Sequence, residues 1–185
     1  MSKKGLSLIV LLLIPAIFAF AGETFIVFFT GNYLIPSDSS YKDIYGNGVV
    51  YPELIIGSEV RKNFSLWVGF GHLSAKGTTL APEDKLKSSQ NYLSFGTRYS
   101  GKISRNMIYK IDVGLFYLVY KQDDLETELR GSDVGFRTDL GFVYTFSKNL
   151  FIEFSLGYLS ASDRVKDVRK EWGGFKGGVG IGIWF

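Results

Sequence analysis

The chain has 185 residues, among them 16 Phe, 11 Tyr, 3 Trp and 22 Gly, with no Cys, one His and a formal charge of +3. The lack of Cys excludes a disulfide framework, thiolate catalysis and zinc ribbons, and one imidazole cannot build a multi-His metal site, so neither metal nor cofactor is expected. The length fits one domain, and abundant aromatics with few Pro argue against disorder.

The first segment has the pattern of a secretory signal peptide. Lys3 and Lys4 precede an apolar run from Leu8 to Phe20, which ends in Ala19-Phe20-Ala21 before Gly22. A spanning helix needs roughly 20 apolar residues, and this run is shorter and carries a small-x-small cleavage pattern. The expected division is therefore residues 1–21 as signal peptide and 22–185 as the mature domain. Cleavage removes two lysines and brings the formal charge from +3 to +1, so the basic character does not point to nucleic acid.

From residue 24 onward, alternation of apolar and polar residues with period two recurs in eight segments, the signature of half-apolar strands. The first two lie near 24–35 and 50–60. In the third, Phe64, Leu66, Val68 and Phe70 alternate with Ser65, Gly69 and Gly71, and the fourth lies near 90–100. The fifth and sixth hold phase longest. Met107, Tyr109, Ile111, Val113, Leu115, Tyr117 and Val119 share one face, as do Val134, Phe136, Leu140, Phe142, Tyr144 and Phe146. The seventh runs near 150–158, and the eighth near 172–185.

The connections alternate too. Those at 61–63, 101–105 and 147–149 are short, whereas about 36–49, 75–89, 121–132 and 160–171 are longer and polar. Short turns on one side and longer loops on the other describe an up-and-down antiparallel barrel of eight strands with both termini on the turn side, as outer-membrane barrels are built. A soluble barrel with the apolar stripe inward is the competing arrangement. Two features oppose it: the polar stripe is rich in Gly, which suits a crowded interior, and the apolar stripe carries too much Phe and Tyr for a lumen of eight strands. The fold class expected is all-β, a transmembrane barrel whose apolar stripe faces lipid.

The chain end, Gly180-Ile181-Gly182-Ile183-Trp184-Phe185, resembles the outer-membrane assembly signal, in which a Gly, spaced outward hydrophobics and a terminal aromatic are read. The whole mature segment resembles small eight-stranded outer-membrane proteins of the OmpA transmembrane-domain, OmpX and OmpW type. That resemblance implies Gly180, Ile183 and Phe185 as contacts of the barrel-assembly machinery. It also implies outer-membrane lipids and lipopolysaccharide as surroundings, a bacterial outer-membrane location with both termini periplasmic, and a monomer.

With the apolar stripe outward, Glu53, Glu59, Asp112, Asp139 and Glu153 point inward against Arg61, Arg98, Lys110, Arg137 and Lys176. Balanced charge in a narrow lumen predicts an ion-pair network that plugs it, because unpaired buried charge costs several kcal/mol per ion. One constellation offers chemistry: His72-x-Ser74 at the loop end of the third strand, with Glu83 in the next loop. A His beside a Ser is the arrangement of acyl transfer, and the motif resembles the His-x-Ser of lipid A deacylases. The function expected is a non-enzymatic outer-membrane barrel acting through its extracellular loops in binding, adhesion or envelope integrity. An OmpW-like conduit for small or hydrophobic solutes and a deacylase-like hydrolase using His72 and Ser74 are the alternatives.

Overall fold

The computed structural model describes residues 24–78, 85–123, 128–165 and 168–185. The expected signal peptide and Glu83 lie outside the described residues. Eight antiparallel strands follow one another around a closed barrel: β1 (Phe25–Pro36), β2 (Val49–Arg61), β3 (Phe64–Thr78), β4 (Lys85–Lys102), β5 (Met107–Asp123), β6 (Glu128–Thr145), β7 (Leu150–Val165) and β8 (Val168–Trp184). Closure pairs β8 with β1, where the Phe25 N–H donates to the Phe185 carbonyl at 3.1 Å and the Phe185 N–H returns to Phe25 at 2.8 Å. Such closure leaves no edge strand, the hazard of an open antiparallel sheet.

The strands sort their side chains as the alternation predicts. Phe29, Phe136, Phe142, Phe154, Leu156 and Ile181 stand exposed on the outer face. Even-numbered residues of β1 and β8 point inward, so Phe28 and Gly182 face each other across the seam. Glycines of the inner stripe make room for interior rings: a Cβ on Gly182 would stand 2.3 Å from Phe151, and one on Gly135 2.3 Å from Phe116. This explains a Gly-rich polar stripe that a water-facing surface would not need.

Inside, the chain is layered. Ile26, Phe28, Ile55, Trp67, Val143 and Phe151 form an apolar group toward the turns. A larger one, including Leu34, Tyr51, Leu73, Tyr92, Phe116 and Trp172, fills the loop-ward end, where Tyr120 stacks on Trp172 at 4.3 Å. The charged side chains sit between the two.

Three features depart from the sequence expectation. Strands run further on the loop side, so that β3 and β4 remain paired out to Thr78 and Lys85, within the stretch 75–89 expected as a loop. The first loop contains a short helix, α1 (Ser39–Tyr45), capped by Asp38, whose carboxylate accepts from the Tyr41 N–H at 3.2 Å. Tyr41 and Tyr45, one turn apart, are buried in the loop-ward apolar group.

Third, the wall is interrupted. The β2–β3 ladder stops at Glu53 and Gly71, although β1–β2 and β3–β4 continue toward the loops. The Glu59 N–H donates to Thr24, so odd residues of β2 bond toward β1 and even ones toward β3. Pro52 therefore falls where the next bond to β3 would be donated, and proline has no N–H to give.

Candidate functional site

Eight of the ten charged residues read from the sequence meet in the lumen, in two squares of alternating sign. In the square nearer the turns, the Arg98 guanidinium donates in a fork to both Asp112 oxygens, at 2.7 and 2.9 Å, and to Glu153 at 3.1 Å. Lys110 Nζ closes it, 2.6 Å from Asp112 and 2.6 Å from Glu153. In the loop-ward square, Arg137 engages both oxygens of Glu53 and reaches Asp139 through Nε at 2.7 Å. Lys176 Nζ completes it, 2.8 Å from Asp139 and 3.8 Å from Glu53.

Parity and register assemble these squares. Lys110 and Asp112 are two apart on β5, and Arg137 and Asp139 two apart on β6, so each pair shares the inner face. Arg98 lies directly opposite Asp112, and Glu153 arrives opposite Gly180, where no side chain competes for space. Each square has two cations and two anions, and all eight residues are at most 4 % exposed. Both guanidiniums also lie over rings, Arg98 4.9 Å from the centroid of Phe28 and Arg137 4.7 Å from that of Trp67. These contacts tie the ionic layer to the apolar layer below it.

Glu59 and Arg61 do not join. A register shift after Glu59 takes Arg61 out of the inner stripe and leaves it exposed at the turn, whereas Glu59 keeps the inward parity of β2 but sits at the turn-side end, partly exposed and accepting from the Asn63 N–H at 3.2 Å. Sequence reading also missed Ser94, which donates to Glu53 at 3.4 Å and accepts from Arg137 at 3.1 Å. Its even number on β4, shared with inward Arg98, was the available signal.

Of the hydrolase candidates, His72 and Ser74 lie among the described residues and Glu83 does not. His72 is exposed, and its Nδ1 is hydrogen-bonded to Asn91 Oδ1 at 2.8 Å on the neighbouring strand. Among the described residues no hydrogen bond joins it to Ser74, which is also exposed and lies opposite Ser89. At the chain end, Gly180 faces inward beside Thr30, while Ile183 and Phe185 project outward.

The outer wall carries a groove of about 590 Å³ where β2 parts from β3. Pro52, Leu54, Phe70, His72, Leu93 and Tyr117 are among its lining residues.

A closed barrel with an apolar exterior and a paired ionic interior defines the class of small transmembrane β-barrels, inverted relative to a soluble barrel. Comparison with solved structures places the fold among outer-membrane proteins. OprG of Pseudomonas aeruginosa shares 12% identity at a TM-score of 0.62, covering 89% of this chain and 96% of that one. Neisserial surface protein A shares 10% at 0.61, covering 88% and 96%. The N-terminal barrel domain of Pseudomonas aeruginosa OprF shares 16% at 0.60, covering 88% and 97%. No protein-family model matches the chain, and no curated protein matches it in sequence.

Proposed function

We propose that the chain is a monomeric, non-enzymatic barrel of the bacterial outer membrane, with a filled lumen. Termini and short turns lie in the periplasm, and binding, adhesion or envelope support is carried by the outward loops. The observation that supports this reading most is the inside-out sorting of side chains. Every strand turns Phe, Leu, Ile or Val outward, where only hydrocarbon spares them contact with water, while eight ionised groups are paired inside. On this reading, lipids and lipopolysaccharide surround the barrel, and the assembly machinery reads Gly180, Ile183 and Phe185.

The test is extraction and heat-modifiability. The folded protein should require detergent for extraction and should migrate differently in gels before and after boiling. Release without detergent, or identical migration, would favour the soluble barrel.

The hydrolase alternative loses support from His72, whose Nδ1 is engaged by Asn91 rather than by Ser74. Lipid A from cells carrying the wild type, Ser74→Ala or no copy should give one and the same mass spectrum. An acyl chain lost only with the wild type would establish the enzyme instead.

A further inference from the structure

The groove at the β2–β3 interruption opens on the outer wall and reaches inward as far as Glu53, Gly71 and Tyr92. Its floor is one cross-strand row on the outer face, Phe29, Leu54, Phe70, Leu93 and Tyr117, each directly opposite the next. Neighbouring strands lie about 4.8 Å apart, so a row across five strands spans about 19 Å. Strands tilt in a closed barrel, which sets such a row oblique to the membrane plane.

The row is recessed in the middle. Leu93 points outward yet is only 7 % exposed between Phe70 and Tyr117, whereas outward Leu140 and Leu156 on the other wall are 60 % and 74 % exposed. On the loop-ward side, Pro52 ends the ladder, and the hydrogen-bonded His72–Asn91 pair supplies polar atoms at the groove's edge. At the back of the groove, among its lining residues, Glu53 is held in its ionic square and Tyr92 lies over Gly71, where a Cβ would stand 2.2 Å from the ring. These held side chains stand between the recess and the rest of the lumen.

We propose that this groove binds one acyl chain of a membrane lipid in the loop-side leaflet, with the lipid's polar head at His72 and Asn91. The inference rests on the membrane-spanning reading above. The exterior is apolar on every strand, so the medium at the groove is hydrocarbon, and a recess touches a chain on more sides than a convex wall does. With Nδ1 engaged by Asn91, the other ring nitrogen of His72 is left for a hydrogen bond to the head. A chain seated here is held in place, whereas chains against Leu140 or Leu156 exchange freely.

The test uses the full-length mature barrel reconstituted in phosphatidylcholine vesicles doped with phosphatidylcholine that carries a diazirine in one acyl chain. After irradiation, adducts are mapped by mass spectrometry. Adducts on Leu54, Phe70, Leu93 and Tyr117 should be several times those on Leu140, Leu156 and Val179 of the opposite wall. Leu93→Trp fills the recess and should abolish the excess, whereas Leu140→Trp should preserve it. Leu54→Trp provides a second filling variant if Leu93→Trp does not fold, with heat-modifiability as the check on folding. Equal labelling of both walls, or an excess that survives filling, would overturn the site while leaving the membrane reading intact. Absence of adducts on either wall would instead overturn the membrane reading.

Discussion

Replacing Arg137 with Ala is expected to destabilise the folded barrel by about 3–5 kcal/mol, the range for removing one partner of a buried ion pair. Arg137 bonds both Glu53 and Asp139, so its loss leaves Lys176 as the only cation of that square facing two buried carboxylates. It also uncovers the Trp67 face on which the guanidinium lies. Arg137→Lys retains the charge but not the fork, and should fall between wild type and Ala. Arg61→Ala is the control: Arg61 is exposed at the turn, outside both squares, and the unfolding midpoint should not move. Urea unfolding in detergent micelles or vesicles measures all three. An Arg137→Ala barrel as stable as the wild type would mean that the squares are not what holds the interior.

The second large effect is expected at Gly114. Gly96 and Gly114 face each other across β4 and β5, and together they floor the Trp67 indole. A Cβ at Gly114 would lie 2.8 Å from Trp67 Cζ2 and 2.4 Å from the Phe95 carbonyl oxygen. Gly114→Leu must therefore displace both ring and strand, and the Arg137 contact with the ring goes with them. Overpacking of this kind costs about 1–3 kcal/mol at a site that can yield, and more where backbone stands in the way. Adding Trp67→Ala should recover part of the loss, because it removes the steric conflict that the leucine creates. Gly177→Ala is the tolerated counterpart, since its Cβ would come no closer than ordinary contact, 3.4 Å to the Leu156 side chain and 4.0 Å to the Ser155 carbonyl oxygen. Equal losses at Gly114 and Gly177 would show that glycine is not needed for space beneath Trp67.

Most of this architecture is legible in the sequence because a strand that faces hydrocarbon on one side and a crowded lumen on the other writes its orientation into every second residue. That rule places Arg98, Asp112, Arg137 and Glu153 inside without knowledge of their partners. It fails at Arg61, beyond a shifted register that reverses the meaning of odd and even, and it cannot tell that Glu59, inward by parity, lies at the turn-side end short of the ionic layer. It underestimates the strands beyond the apolar belt as well. Ser88, Ser89 and Lys87 extend β4 through backbone pairing with β3, which leaves no apolar alternation to read. Helix α1 was signalled by Asp38 as a cap and by Tyr41 and Tyr45 at helical spacing, but seven residues are too few for periodicity to show. Pro52 was visible as a breaker within a strand pattern. The groove it borders was not visible, because it depends on which residues from five strands fall into one row.

Ion conduction through the folded protein in a planar lipid bilayer tests most directly whether the lumen is filled. Two closed ionic squares between two apolar layers predict a silent membrane, with no stable conductance steps across the usual range of voltage. Arg137→Ala should lower stability before it opens any current. Reproducible steps from the wild-type barrel would contradict a filled lumen and would make the conduit for small solutes the better description of this protein.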